Sequence, residues 1–136
     1  MSVVYPLYKQ AILTGTALDL SAVNIKAALV DTAVYTYSAA HNFLDDVDVT
    51  SEIVATSGNL VTPTVDTAGI FDAADITVST VSGATIEAIV LYYDTGVAST
   101  SRLIAYIDSG TGLPFTPAGS DIDLNWDNGA NKIFAL

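Results

Sequence analysis

The chain contains no cysteine, and in 136 residues it has one histidine, one tryptophan and one methionine. Without cysteine there is no disulfide, no thiolate-bound metal and no thiol nucleophile. Positive charge is scarce too. Lys9, Lys26, Arg102 and Lys132 stand against 15 Asp and Glu, for a formal net charge of −11. Nucleic-acid binding needs a clustered basic surface that displaces counterions from phosphate, and four scattered cations cannot make one. Anionic lipid headgroups repel the chain for the same reason. No apolar run approaches the ~20 residues of a membrane-spanning helix. The opening Met-Ser-Val-Val-Tyr-Pro has neither the basic start nor the apolar stretch of a secretory signal, which predicts a protein made and kept in a cytoplasm. Its partner should be another protein, with no nucleic acid and no membrane involved.

What the chain does have is apolar and small. Hydrophobic residues make up 51% and charged ones only 14%, a balance that excludes intrinsic disorder. The length is that of one domain, and a chain of this size buries roughly two-thirds of the surface its unfolded form exposes. Ala (19), Thr (16), Ser (11) and Gly (9) dominate the composition, so much of the exterior must be small and weakly polar. Such surfaces lose little side-chain entropy when something packs on them. That favours a component of an assembly over a freely solvated enzyme.

Periodicity divides the chain at Gly15. Residues 5–14 predict a short helix, with Pro6 suited to its first position, Tyr5, Tyr8 and Ile12 on one face, and Gly15 to stop it. A helix this short is marginal alone, so it covers its own sheet or reaches a partner as an arm. From Asn24 the period is two. Strands are expected at residues 24–30, 53–56 and 60–65, the last two joined by a Ser57-Gly58-Asn59 hairpin turn, with Pro63 marking a sheet edge. Residues 38–47 are irregular, with room for one helical turn. Residues 76–81 alternate and then slip register near Thr80, as a bulge would produce. Residues 86–93 are apolar on both faces, which marks a central strand, and 102–107 are similar. Residues 121–126 place Ile122, Leu124 and Trp126 inward and Asp121, Asp123 and Asn125 outward. Residues 132–136 close the chain as a strand in which Phe134 and Leu136 should be packed. These features predict an all-β fold, an antiparallel β-sandwich of jelly-roll-like type, with residues 1–15 as an arm or short helix and 16–136 as a single domain.

Catalytic signals are thin. His41 is the single histidine, there is no Gly-x-Ser-x-Gly elbow, and a capping or surface role is its simplest reading. Oxygen ligands at alternate positions from Asp46 to Glu52 would share one face of an extended chain and could hold Ca²⁺. They lack the glycine and spacing of an EF-hand loop, so a solvated acidic loop is the plainer reading. Asp121 and Asp123 share a strand face like a carboxylate pair, without the desolvated pocket glycoside hydrolysis requires. Gly110-Thr111-Gly112 reads as a turn rather than a phosphate cradle. Tyr92, Tyr93, Tyr106 and Trp126 could form a sugar-binding platform, but they sit in the most apolar strands, where core packing explains them. No catalytic residue, metal ligand or cofactor is therefore expected.

Several phrases in combination carry a resemblance: residues 8–15 (Tyr-Lys-Gln-Ala-Ile-Leu-Thr-Gly), 25–32 (Ile-Lys-Ala-Ala-Leu-Val-Asp-Thr), 91–96 (Leu-Tyr-Tyr-Asp-Thr-Gly), 101–108 (Ser-Arg-Leu-Ile-Ala-Tyr-Ile-Asp), 112–114, 121–129 and 133–136. Together they resemble a family of small virion proteins encoded by tailed bacteriophages and prophages. The likeness runs from about residue 5 to 136 and is weakest between Ser38 and Asp75. It implies a structural role, foremost capsid decoration (cement): assembly in the host cytoplasm, a place on the outer capsid surface, contact with the major capsid protein, and self-association, often as a homotrimer. A tail, neck or fibre-base component, or a carbohydrate-binding module, is the alternative. Outside the strong strand pattern, Tyr5, Leu7, Tyr8, Phe43 and Leu44 are apolar groups that need burial, which makes them the expected partner contacts. On that expectation, deleting Met1–Gln10 leaves a folded domain that no longer binds capsids.

Overall fold

A segment that is apolar on both faces has to be covered on both, and the fold is built around it. In the structure, a computed structural model that describes residues 2–136, β7 (Ala88–Tyr93) is the middle strand of a five-stranded sheet. Ala88 through Tyr92 are all buried. On one side β7 pairs with β8 (Leu103–Ile107), which in turn pairs with the edge strand β1 (Ser2–Val4); on the other it pairs with β2 (Ile25–Val30), then β3 (Ile53–Thr56). Every pairing is antiparallel.

Register decides what each face presents. Ser2, Ile107, Ile89 and Leu29 stand opposite one another across four strands, and Val3, Tyr106, Val90 and Ala28 form the next row. Side chains alternate sides along a strand, so the aliphatic row and the row holding Tyr106 face opposite ways. The sheet thus has two distinct surfaces.

The N-terminal segment belongs to this body. Tyr5 N–H donates to the Ile104 carbonyl at 2.9 Å, prolonging the β1 pairing up to the start of helix α1 (Pro6–Leu13). Tyr5 is fully buried, and the helix turns Tyr8 and Ala11 inward. Ile12, expected on the buried face, is instead partly exposed and Leu13 is 87% exposed. Because Tyr5 lies in extended backbone before the helix, the inward stripe runs from Tyr8 to Ala11 rather than on to Ile12.

The expected hairpin at Ser57-Gly58-Asn59 does not form. Ser57 N–H bonds the Ala27 carbonyl, the Ser57 hydroxyl accepts the Ala27 N–H at 2.8 Å, and Leu60 N–H bonds the Ile25 carbonyl. The chain therefore keeps running along β2 and passes into a second sheet, with order β10-β5-β4. There β4 (Val61–Val65), carrying Pro63, is an edge strand as expected, paired with β5 (Ile70–Ala74), which in turn pairs with β10 (Phe134–Ala135). Sequence periodicity gave no sign of β5 or β1. Phe134 stacks on Phe71 at 5.1 Å, whereas Leu136, expected to be packed, is 58% exposed.

The third sheet is a pair, β6 (Ile76–Val81) with β9 (Ser120–Leu124). Its register slips between Val78 and Val81, and Thr80 takes a left-handed φ of 55°, so the bulge lies where alternation broke. The whole is an all-β, antiparallel, sandwich-like fold with one short N-terminal helix.

Candidate functional site

Many carboxylates of this acidic chain accept hydrogen bonds from its own backbone. Asp46 accepts the N–H groups of Asn42 at 2.7 Å and Phe43 at 3.1 Å. Glu52 accepts those of Thr50 at 2.6 Å and Ser51 at 2.9 Å, and the Thr50 bond leads in holding its carboxyl below the usual range. The segment expected to be extended is a 3₁₀ turn at Leu44–Asp46 followed by bends, so its oxygens do not line one face. Among the described residues no group of three or more His, Asp and Glu could hold a metal ion. Asp66 closes the β4–β5 turn through Ala68 N–H and Ile70 N–H, and Asp75 accepts Trp126 N–H. Asp121 accepts Thr80 N–H at 2.9 Å and so pins the bulge, while Asp123 accepts the Thr77 hydroxyl at 2.6 Å. The suspected carboxylate pair is a set of cross-strand fasteners.

His41 joins a tyrosine cluster. The hydroxyls of Tyr5 and Tyr35 share a hydrogen bond of 2.8 Å, and Tyr35 in turn bonds His41 Nδ1 at 2.9 Å. Tyr37 lies with its ring centroid 5.4 Å from Tyr5 and 5.2 Å from Tyr106. Burial pushes the Tyr35 phenol up to about 12, and drives Tyr5 upward as well, reinforced by its bond to Tyr35. Tyr35-Thr36-Tyr37 is the signal that could have revealed this cluster: two aromatics two residues apart point the same way in extended backbone.

The five expected contact residues separate. Tyr5 and Tyr8 are buried and unavailable to a partner; Leu7, Phe43 and Leu44 are half-buried. Burial pushes the Tyr8 phenol up to about 12 against the opposing charge of Arg102. Tyr8 and Phe43 do meet, in a small hollow of about 200 Å³ shared with Leu18, Leu20, Tyr93 and Arg102. Arg102 was not singled out from sequence, yet it organises this spot. Its guanidinium sits 4.9 Å from the Phe43 ring centre and donates to Asn42 Oδ1 at 2.7 Å.

A cleft of about 650 Å³ lies over the aliphatic row of the main sheet. Leu29, Ile89 and Ile107 form its floor, β9 and Trp126 one wall, and the turn at Gly110–Gly112 part of its rim. Trp126 is 8% exposed, with its indole N–H donating to the Ala74 carbonyl. Tyr106 lies on the opposite face, so the four aromatics considered as a sugar platform are not assembled in one place. No protein-family model matches this chain, and no curated protein matches it.

Proposed function

We propose that this chain is a structural protein of a tailed-bacteriophage particle, specifically a capsid decoration (cement) protein that binds the major capsid protein on the outer shell and strengthens contacts between capsomers. The phrases between residues 5 and 136 that resemble small virion proteins support the viral setting. The observation that supports binding over catalysis is the use of polar groups: Asp46, Glu52, Asp66, Asp75, Asp121 and Asp123 lock loops and strands, and His41 is tied to Tyr35. A body stiffened by its own side chains suits work through many weak contacts multiplied by copy number, and a homotrimer is the expected unit. A tail, neck or fibre-base position is the second reading, because the resemblance is to virion proteins generally. Trp126 in the cleft is the one feature that favours a carbohydrate-binding module. Co-sedimentation with shells assembled from the major capsid protein tests the proposal. Saturable binding to intact shells is expected; binding to glycans or to isolated tails, with none to shells, would overturn it.

A further inference from the structure

We infer that the cleft beside β9 receives an extended, basic strand of a partner polypeptide, added edge-to-edge to β9. The inference deepens the virion reading by naming how a partner is held, and it rests on that reading only for the partner's identity.

The geometry of β9 carries it. Every residue from Asp121 to Asp127 lines the cleft. Successive side chains on a strand point to opposite faces, so a cavity touching Asp121, Ile122, Asp123 and Leu124 in turn runs along the edge of β9. Among the described residues β9 pairs only with β6, which leaves that edge open. Alternate N–H and C=O groups of an edge strand point away from its single neighbour and are free to bond another strand. Beside this edge Leu29, Ile89 and Ile107 supply an apolar floor, on which every second side chain of an added strand can rest.

Charge selects the occupant. Asp121, Asp123 and Asp127 are exposed along the cleft, and among the described residues each commits one oxygen, to Thr80, Thr77 and Gly129. The cation on the cleft wall, Lys132, is drawn toward Asp72 at 3.6 Å. An incoming strand with Lys or Arg at alternate positions meets these carboxylates. A second copy of β9 would set aspartate against aspartate, and like charges across a strand pair destabilise it. The edge is closed to its own kind and open to a basic strand.

Trp126 is the only tryptophan and lines the cleft, so its fluorescence reports occupancy directly. The probe is a short, end-blocked peptide alternating lysine and valine, titrated into the full-length protein. A saturable change in emission is expected. It should weaken by about tenfold or more, about 1.4 kcal/mol, in Asp123→Lys and in Asp127→Lys, each first shown to melt cooperatively above the assay temperature. The same peptide N-methylated at alternate amides should fail to bind. No response, equal binding of the N-methylated or of a glutamate–valine peptide, or the same response to a simple alkylamine would each overturn the inference. Peptide binding by a protein that ignores capsid shells would overturn the capsid-decoration reading and leave this one standing.

Discussion

Tyr35 is the residue on which most of the buried polar network turns. Its hydroxyl serves both Tyr5 and His41, so Tyr35→Phe leaves the fully buried Tyr5 hydroxyl without a partner. A stranded buried hydroxyl costs about 1–3 kcal/mol, and urea denaturation should register a loss in that range. Tyr5→Phe removes only one bond, because Tyr35 keeps His41, and should cost about 0.5–1.5 kcal/mol. Equal losses in the two variants would contradict the chain of bonds. Titration gives a second check. The phenols of Tyr8, Tyr35 and Tyr92 are each pushed by burial up to about 12 in the folded protein, against about 10 when unfolded. Folded values above unfolded ones mean that this stability is complete below about pH 10 and is lost as pH rises toward about 12. The acid side runs the other way. Lys26, at 2.6 Å, holds the Asp94 carboxyl below its ordinary range, and Thr50 N–H does the same for Glu52. Their contribution is present above about pH 4 and fades as pH falls further. Melting temperature should therefore be level through neutrality and fall at both ends; a curve level through about pH 12 would contradict the buried phenols. In the sequence His41 read as a cap or a surface group. Its bond to Tyr35 depends on a loop whose path no local pattern encodes.

At the scale of elements, both termini are structural. Removing Met1–Gln10 strips the sheet of β1 and the core of Tyr5 and Tyr8. Loss of the fold is expected, not the release of a binding arm anticipated from sequence, and a cooperative melt in the deleted protein would refute this. Removing residues 132–136 uncovers Phe71 and turns β5 into an edge, so soluble expression should fail. Within that segment, the half-buried Phe134→Ala is expected to cost about 1–3 kcal/mol and Leu136→Ala less than about 0.5, since Phe134 is stacked and Leu136 is exposed. The elements legible in sequence were those with unbroken chemistry. β7 is apolar at every position, β9 alternates through Trp126, and the bulge at Thr80 interrupts a clear period. β5 escaped because Ile70-Phe71-Asp72-Ala73-Ala74 offers one large buried side chain and no sustained alternation. The failed hairpin is equally physical. Ser57-Gly58-Asn59 has turn composition, but the Ser57 hydroxyl takes the place of a backbone acceptor for Ala27 and keeps the chain beside β2. The open edge of β9, the most useful feature of the cleft, had no local signature at all, because whether a strand is an edge depends on which segments pair with it.

For the whole molecule, the charge of −11 has two uses that composition alone merges. Much of it serves as hydrogen-bond acceptors that fix turns and strand junctions, and the exposed Asp121, Asp123 and Asp127 also leave the cleft beside β9 acidic. The result is a stiff antiparallel body with its histidine bonded to Tyr35 and an apolar, acid-rimmed cleft beside β9. On the proposed function, such a body works by being held in place many times over. The most direct measurement of that claim is the number of copies of this polypeptide per purified phage particle, by quantitative mass spectrometry against the major capsid protein. The account predicts copies on the order of hundreds, in fixed ratio to the shell subunits as symmetry demands. About six to twelve copies would move the protein to the neck or tail, and its absence from the mature particle would contradict the account.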